Sequence, residues 1–356
     1  MKTDLQSYFK NKKILITGHT GFKGTWLLKI LSMLGSEIKG IALEPNENQL
    51  FFNQIQGTQL CEHSIIDICD YESLENEILN FEPDIIFHLA AQALVRPSYS
   101  LLRETYMTNV IGTLNVLESI KKLSKKCNAV LITTDKVYEN FEKDYLYIET
   151  DSLGGHDPYS SSKAACEILI SSFRKSFIPI EKYDQHNKCI ASARAGNVIG
   201  GGDLSQDRIV PDIVKSVQKG IPVTLRNPNA IRPFQHVLES LRGYLLLAIK
   251  MEIDPVLCST SYNFGPSKMD CISVLELVQK CIKEYGIGNY NIEPQNSYLH
   301  EAGILMLDNS KSKNDLGWIP QWDIDKTIKE TITWYRTNEE EKNMITEAQI
   351  KYYFNL

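Results

Sequence analysis

Three residues with chemically active side chains stand side by side in the stretch ITTDKVYEN: Thr134, Asp135 and Lys136. The stretch begins as an apolar strand and turns polar at these positions. Tyr159 and Lys163 follow in HDPYSSSK, and because they are four residues apart at a predicted helix start, both face one side of that helix. A lysine ammonium beside a phenol would lower the pKa of the phenol, so Tyr159 could take a hydroxyl proton while hydride leaves the same carbon. Thr134 could orient that hydroxyl.

The spacing of Tyr159 and Lys163 is weak evidence by itself, because Tyr8 and Lys12 are also four residues apart. Their surroundings are more informative: a predicted strand that ends at Thr134 precedes them, and a glycine-rich turn lies further upstream. We therefore predict that Thr134, Tyr159 and Lys163 act together in catalysis. The alternative is a Tyr–Lys pair on the surface.

Strand and helix patterns alternate through about the first 200 residues. Apolar runs of strand type are separated by stretches with helical spacing. The runs are KILITG, IKGIAL, DIIFHLAA, NAVLITT and the start of CIASARAGNVIG; the helical stretches include TWLLKILSMLG, TNVIGTLNVLESIKKL and SSKAACEILISSFRKSF. This alternation predicts an α/β fold: a Rossmann-type doubly wound parallel sheet with helices on both faces.

The regular alternation ends after about Gly200, where Gly, Pro, Asp and Arg become frequent. We expect loops that cover a substrate there, followed by a smaller, less regular C-terminal substrate domain. The predicted sheet domain comprises residues 1–196, and roughly residues 233–262 return to it. The predicted substrate domain comprises residues 197–232 and 263–356. The final stretch, NEEEKNMITEAQIKYYFNL, is predicted to be a solvated helix.

Composition and charge exclude several function classes. The chain has 356 residues, a net charge of −6 and ordinary hydrophobic (43%) and charged (23%) fractions, so no basic face is available for nucleic acid. The polar start, MKTDLQSYFKNKK, is no signal peptide, and no apolar run approaches membrane-spanning length. Eight scattered cysteines without a Cys-x-x-Cys pair fit reduced thiols in a cytoplasm and no metal site.

A glycine triplet lies between the first strand and the first long helix, in TGHTGFKG. Gly18 permits a tight turn, Gly21 lets the backbone approach a pyrophosphate, and Gly24 lets the helix pack closely with its positive end toward the phosphates. This context predicts dinucleotide binding. The alternative is a glycine-rich turn that binds nothing.

The Gly-x-x-Gly-x-x-Gly spacing resembles that of the short-chain dehydrogenase/reductase superfamily. The resemblance implies that Asp67 contacts the adenine; the alternative is that Asp67 caps a helix. It also implies that Ala90 and Ala91 form a narrow strand end against the cofactor; the alternative is ordinary core packing. Glu44 is the one acid near the end of the second strand, and it supports NAD over NADP only weakly. The implied NAD-binding residues are Gly18, Thr20, Gly21, Phe22, Lys23, Gly24, Asp67, Ile68, Leu89, Ala90, Ala91, Tyr159 and Lys163.

The neighbouring Asp135 and Lys136 exceed what a sugar epimerase needs, because in an epimerase hydride leaves and returns at one carbon. A 4,6-dehydratase oxidises C4, removes the C5 proton, expels the C6 hydroxyl as water and returns hydride to C6. That sequence needs an additional acid and base beside the Ser/Thr residue. A charged Lys136 would favour ionised Asp135, so either Lys136 donates the proton to the leaving hydroxyl or it is neutral and takes the C5 proton. We assign the two roles jointly; the alternative is a purely structural ion pair.

Motifs along nearly the whole chain resemble those of the CDP-glucose 4,6-dehydratases, which are extended short-chain dehydrogenases/reductases. The motifs are GHTGFKGTWL, TTDKVYEN, LGGHDPYSSSK, RAGNVIGGGD, IRPFQHV, NFGP and HEAGILMLD…LGW. The related enzymes that act on dTDP-glucose have Asp-Glu after the Thr, whereas this chain has Asp-Lys. The resemblance implies an NAD-dependent lyase, commonly a homodimer through two long helices, that supplies deoxysugars for cell-surface polysaccharide such as O-antigen in lipopolysaccharide. It also implies that the substrate domain binds a nucleotide sugar.

Four residues are predicted to bind the nucleotide sugar. Arg208 and Arg232 lie in loop-rich stretches and carry forked guanidinium groups suited to phosphate. By resemblance, Asn197 contacts the diphosphate and His300 lies near the nucleotide. Each could instead be a surface residue or a loop tie, and the choice of cytosine depends on the resemblance alone.

Two other functions stay open at this stage. One is an NAD-dependent nucleotide-sugar epimerase, against which the Asp135–Lys136 pair weighs. The other is a catalytically inactive NAD-binding sensor or scaffold, which would not need to keep Thr134, Tyr159 and Lys163.

Overall fold

The computed structural model describes residues 5–46, 49–293 and 303–356. Its strands are β1 Lys13–Thr17, β2 Glu37–Ala42, β3 Glu62–Ile65, β4 Ile85–His88, β5 Cys127–Ile132, β6 Leu146–Tyr147, β7 Lys188–Ala195, β8 Val198–Ile199, β9 Val223–Leu225, β10 Ile231–Arg232, β11 Gln235–His236, β12 Ser261–Phe264, β13 Ile272–Ser273, β14 Tyr290–Ile292 and β15 Met306–Leu307. Its α-helices are α1 Leu5–Phe9, α2 Phe22–Met33, α3 Leu50–Gln54, α4 Tyr71–Phe81, α5 Val95–Ser100, α6 Leu102–Tyr106, α7 Gly112–Lys122, α8 Pro158–Ser176, α9 Tyr183–His186, α10 Ile209–Lys219, α11 Val237–Ile253, α12 Pro255–Cys258, α13 Val274–Tyr285, α14 Ser310–Leu316, α15 Ile324–Arg336 and α16 Lys342–Phe354.

Seven strands form one parallel sheet in the order β12-β7-β5-β4-β1-β2-β3, which confirms the predicted doubly wound fold. The chain runs outward from β1 to β3 and then returns to β4 on the other side of β1. Such a reversal opens a crevice at the carboxyl ends of the strands, where ligands of this fold class bind. The turn after β1, the segment after β4 and the end of β5 therefore meet at one edge of the sheet.

Alternate side chains of the strands enter two separate cores. Ile14 and Ile16 pack with α2 and α11 on one face, whereas Leu15 packs with α4, α7 and α8 on the other. The same alternation continues along β5, where Val130 and Leu131 enter opposite cores. Because both faces are covered by helices, the strands are almost continuously apolar.

The chain after β7 is less regular and pairs mainly in short two-stranded sheets. The assignment of domains stays a prediction; β12, which spans the predicted boundary between 262 and 263, lies in the main sheet. The prediction of a solvated C-terminal helix is wrong. Ile350 and Tyr353 of α16 are buried, and the Tyr353 hydroxyl donates to Glu239 Oε2 at 2.6 Å. Within the described ranges, no helix has the length and apolarity to cross a membrane.

Candidate active site

A cavity of about 440 Å³ lies at the carboxyl end of β5, between the sheet and the less regular C-terminal part. Its volume is within the usual range for small-molecule sites. Predicted site residues from distant parts of the sequence share its wall. They are the predicted cofactor residue Lys23 and the predicted catalytic and substrate residues Thr134, Lys136, Tyr159, Asn197, Arg208 and Arg232. His300 lies outside the described residues.

The glycine turn after β1 is as tight as its sequence predicts. Gly18 has φ +75°, and a Cβ there would lie 2.7 Å from the backbone nitrogen of Ala90. At Gly24, a Cβ would lie 2.1 Å from the carbonyl oxygen of Gly18. Gly21 is the N-cap of α2, and no side chain caps that helix end. The helix amides are therefore available to an anion, which fits a pyrophosphate cradle.

The segment after β3 carries the predicted adenine-side residues. Asp67 is exposed, and its Oδ1 accepts a hydrogen bond from the backbone of Cys69 at 2.9 Å. The residue that caps α4 is Asp70, so the alternative role for Asp67 as a helix cap is wrong. Ile68 is buried against Gly112, where a Cβ would lie 2.4 Å from its side chain.

The polar residues after β5 form a short hydrogen-bonded group. Thr134 Oγ1 donates to Asp135 Oδ1 at 2.9 Å, and Lys136 Nζ lies 3.5 Å from the same oxygen. Lys136 also donates to Asn197 Oδ1 at 3.4 Å. Asp135 is fully buried, and its Oδ2 has no hydrogen-bond partner in the described part of the chain. Lys136, by contrast, reaches the cavity wall with a quarter of its side chain exposed.

Tyr159 and Lys163 lie in the first turns of α8, which Asp157 caps by accepting from the backbone of Ser160 at 2.9 Å. The Tyr159 hydroxyl and Thr134 line the same cavity, and Thr134 acts to lower the pKa of the phenol. Lys163 Nζ donates to the carbonyl of Ile132, the last residue of β5, at 3.2 Å. This bond fixes the start of α8 against the end of the catalytic strand.

The predicted lowering of the Tyr159 pKa is wrong for the protein without ligands. Burial raises the pKa of Tyr159 to about 12, although Thr134 and the positive charge of Arg208 oppose this rise. Burial also lowers the pKa of Lys163, whose amine is bound to a backbone carbonyl. Desolvation therefore outweighs the effect expected of the lysine.

The side chain of Lys23 has an environment that the sequence did not indicate. It was predicted to belong to the cofactor turn, but its side chain lines the cavity. Burial and the positive charge of Arg208 lower the pKa of Lys23 to about 7, while Asp135 opposes them. Lys23 therefore lies where the cofactor turn and the substrate cavity meet.

The two predicted phosphate-binding arginines are held in different ways. Arg208 Nη1 forms an ion pair with Asp203 Oδ2 at 2.8 Å. Arg232 Nη1 donates to the backbone carbonyls of Ile231 and Gly303 at 3.0 and 3.1 Å. Both side chains line the cavity, so each guanidinium is positioned at its wall.

Three buried residues support the site, and two of them, Glu167 and Arg194, were missed in the sequence. Asn109 is buried in a π-helical turn, accepts from the Gln92 backbone at 2.9 Å and donates to Ser162 Oγ at 2.8 Å, which links α8 to the segment after β4. Glu167 and Arg194 form a buried ion pair below the end of β5. An arginine inside the apolar strand CIASARA was the available signal for that pair.

The doubly wound sheet, the glycine turn and the Thr–Tyr–Lys group define the extended short-chain dehydrogenase/reductase class. Residues 15–331 match the family model described as GDP-mannose 4,6 dehydratase, so the chain belongs to this family of nucleotide-sugar 4,6-dehydratases. It is 42% identical over 331 residues to CDP-glucose 4,6-dehydratase of Salmonella typhimurium, covering 93% of this chain and 92% of that one.

More distant relatives share the fold. The chain is 26% identical to dTDP-glucose 4,6-dehydratase of Escherichia coli, over 92% of this chain and 94% of that one. The crystal structure of dTDP-glucose 4,6-dehydratase from Bacillus anthracis in complex with NAD superposes with a TM-score of 0.75 and 24% identity, covering 94% and 99% of the two chains.

Proposed function

We propose that this protein is an NAD-dependent CDP-glucose 4,6-dehydratase that forms CDP-4-dehydro-6-deoxy-D-glucose and water. The observation that carries the proposal is the Asp135–Lys136 pair, which lies beside Thr134 and within one site with Tyr159. The 42% identity to a CDP-glucose 4,6-dehydratase supports both the reaction and the base.

The residues around the glycine turn fit the cofactor. Gly18, Gly21 and Gly24 would hold the pyrophosphate of NAD at the uncapped start of α2, and Asp67 the adenine side. When bound, NAD would accept the hydride from C4 of the glucose and supply it again at C6. The NAD complex of the related B. anthracis enzyme supports this assignment.

Tyr159 would take the proton of the C4 hydroxyl, while Thr134, which lines the same cavity, would orient that hydroxyl. Because burial raises the pKa of Tyr159 to about 12, the free protein holds the phenol protonated at neutral pH. Nearby positive charge in the ternary complex would favour the phenolate. Lys163 supplies a fixed cation at the end of β5.

Asp135 and Lys136 would carry out the elimination. One of them removes the C5 proton, made acidic by the C4 ketone, and the other protonates the C6 hydroxyl as it leaves as water. Lys136 lines the cavity and Asp135 is buried beside it, so we keep the two roles joint. Asn197, Arg208 and Arg232 would bind the diphosphate.

The experiment that tests this function is incubation of the purified protein with CDP-, dTDP-, GDP- and UDP-glucose, monitored for a 4-keto sugar by its alkaline ultraviolet absorbance. We expect CDP-glucose to be converted fastest. With deuterium at C4, the label should reappear in the new methyl group at C6. An epimerised sugar without loss of water would instead favour the alternative function, a nucleotide-sugar epimerase, and no reaction at all would favour an inactive binding protein.

We also propose that the protein acts in the cytoplasm, as a homodimer, to supply deoxysugars for cell-surface polysaccharide. Support for the dimer comes from exposed apolar side chains spaced four apart on the helix that continues from α6 into α7: Leu102 and Tyr106, and Met107 and Ile111. Ile168 of α8, which packs against this helix, is 59% exposed. Such a surface fits a second copy of the chain. Sedimentation at micromolar concentration would distinguish dimer from monomer.

A further inference from the structure

The stretch GGGD, residues 200–203, crosses a space with no room for side chains. A Cβ at Gly201 would lie 2.0 Å from the ring of Trp334, and the Gly201 carbonyl accepts a hydrogen bond from Trp26 Nε1 at 2.8 Å. Gly202 has φ +83°, and a Cβ there would lie 2.4 Å from the Phe51 ring. The backbone is therefore clamped between α2 and α15, which fixes the position of the next residue.

That next residue, Asp203, is buried and fully hydrogen-bonded. Its Oδ2 forms the 2.8 Å ion pair with Arg208, and its Oδ1 accepts from the Ser205 backbone at 3.2 Å. Its carbonyl oxygen accepts from the Tyr335 hydroxyl of α15 at 2.5 Å. Asp203 itself lines the cavity, but both of its carboxylate oxygens already accept hydrogen bonds. A ligand that bound to either oxygen would have to break one of these bonds.

Arg208 is the partner through which Asp203 can influence catalysis. Its guanidinium is one-third exposed and lines the cavity, and its charge acts on both Tyr159 and Lys23. A long arginine side chain loses much rotamer freedom when it binds a phosphate. A carboxylate that already holds the guanidinium in the orientation needed for binding lowers this entropic cost.

We propose that Asp203 is a positioning residue that preorganises Arg208 for the diphosphate of the nucleotide sugar. The inference rests on the proposed function for its substrate, and it assigns to helix α15 a part in substrate binding through Tyr335. The opposing effect is neutralisation, since Asp203 also cancels one positive charge. If preorganisation dominates, removing the carboxylate charge weakens binding of the diphosphate. If neutralisation dominates, removing it strengthens that binding.

The test compares Asp203→Asn, Arg208→Gln and the double variant in the full-length protein. We measure the Kd of CDP by titration calorimetry, and KM and kcat with CDP-glucose. Asp203→Asn should raise the Kd and KM about tenfold with a much smaller change in kcat, and Arg208→Gln should raise them about 100-fold. The double variant should match Arg208→Gln within about twofold, because Asp203 acts only through Arg208.

Two further variants separate positioning from folding. Tyr335→Phe should raise KM in the same direction by about threefold, since it loosens the Asp203 backbone. Asp325→Asn removes an exposed aspartate of the same helix, paired to Lys280, and should leave both constants unchanged.

Several outcomes would overturn the proposal: unchanged or tighter CDP binding by Asp203→Asn, additive effects in the double variant, or failure of Asp203→Asn to fold where Arg208→Gln folds. A wild type that binds CDP without converting any nucleotide-glucose would sink the proposed function, yet the Kd values would still decide the part of Asp203. A wild type that binds none of CDP, UDP, dTDP and GDP would overturn both.

Discussion

The end of β5 carries two carboxylate–cation pairs on its two sides; both carboxylates are buried, but the pairs differ in the distance between the charges, the exposure of the cation and the hydrogen bonds of the carboxylate. Thr133 donates to Glu167 at 2.5 Å on the closed side, where Glu167 and Arg194 are paired at 2.8 Å and both are almost fully buried. Thr134 donates to Asp135 on the open side, where the distance to Lys136 Nζ is 3.5 Å. Neighbouring strand residues face opposite sides, so two consecutive threonines serve two different networks.

Among the described residues, the carboxylate of the closed pair has a hydrogen-bond partner on each oxygen, and the carboxylate of the open pair does not. Both oxygens of Glu167 accept hydrogen bonds, one from Thr133 and the other from Ser192, Arg194 and Ser261. Asp135 Oδ2 accepts none within the described residues. A buried carboxylate whose two oxygens both accept hydrogen bonds is costly to disturb and unsuited to proton transfer. A buried carboxylate oxygen without a hydrogen-bond partner needs a functional explanation. The comparison assigns stability to one side and chemistry to the other.

The largest expected effect is that of Tyr159→Phe. Removing the group that accepts the C4 proton should lower kcat about 10³–10⁴-fold, measured as 4-keto sugar formed per second. The matched control is Tyr138→Phe: Tyr138 also lines the cavity, but its hydroxyl belongs to the closed side, donating to Asn263 and accepting from Arg194. The control should retain kcat within about threefold and lose about 1 kcal/mol of stability. Equal losses of kcat in the two variants would break the comparison.

Lys136→Ala should have the next largest effect. Oxidation of C4 should continue, seen as NADH absorbance, while release of dehydrated product falls about 100-fold because the elimination lacks one proton-transfer group. The free energy of unfolding should fall by about 1–3 kcal/mol, because the buried Asp135 loses its paired cation. Lys126→Ala, which removes an exposed partner of Glu252, is the control. Normal turnover by Lys136→Ala would exclude Lys136 from the mechanism.

Glu167→Gln should chiefly change stability. Burial raises the pKa of Glu167, but Arg194 and the surrounding hydroxyls lower it by more than this rise. The resulting pKa is about 2, below the ordinary value of 4.5. The charged form therefore stabilises the fold above about pH 4.5, and this contribution disappears as the pH falls toward 2. Its size corresponds to about 3 kcal/mol at pH 7.

Urea denaturation at pH 7, 5 and 4 would measure this stability difference. The gap between wild type and Glu167→Gln should narrow as the pH decreases, while Glu252→Gln, at the exposed pair with Lys126, should cost less than about 1 kcal/mol throughout. A gap that widened toward acid pH would contradict the assignment of Glu167 to the closed side.

Local patterns were sufficient for the sheet, the glycine turn and the order of Thr134, Tyr159 and Lys163, because periodicity and strand ends determine them. The roles of Glu167 and Arg194, and of Asp203, depend on contacts between residues far apart in sequence. The raised pKa of Tyr159 depends likewise on burial, which no spacing of Tyr and Lys reports. The packing of α16 was missed because its apolar residues are not gathered on one face: Ile350 and Tyr353 are buried, whereas Met344 and Tyr352 are exposed.

The smallest and sharpest test uses the two threonines themselves. Thr133→Val keeps the shape of the strand but leaves Glu167 without one donor, so it should cost about 1–2 kcal/mol of stability with kcat nearly unchanged. Thr134→Val likewise removes a donor from the buried Asp135, so it should cost a similar amount of stability, but it should also lower kcat about tenfold. The substitutions are chemically identical and one residue apart, so general damage to β5 would affect both variants alike. Only a division of labour between the two sides of the strand predicts that kcat falls in one variant and not in the other.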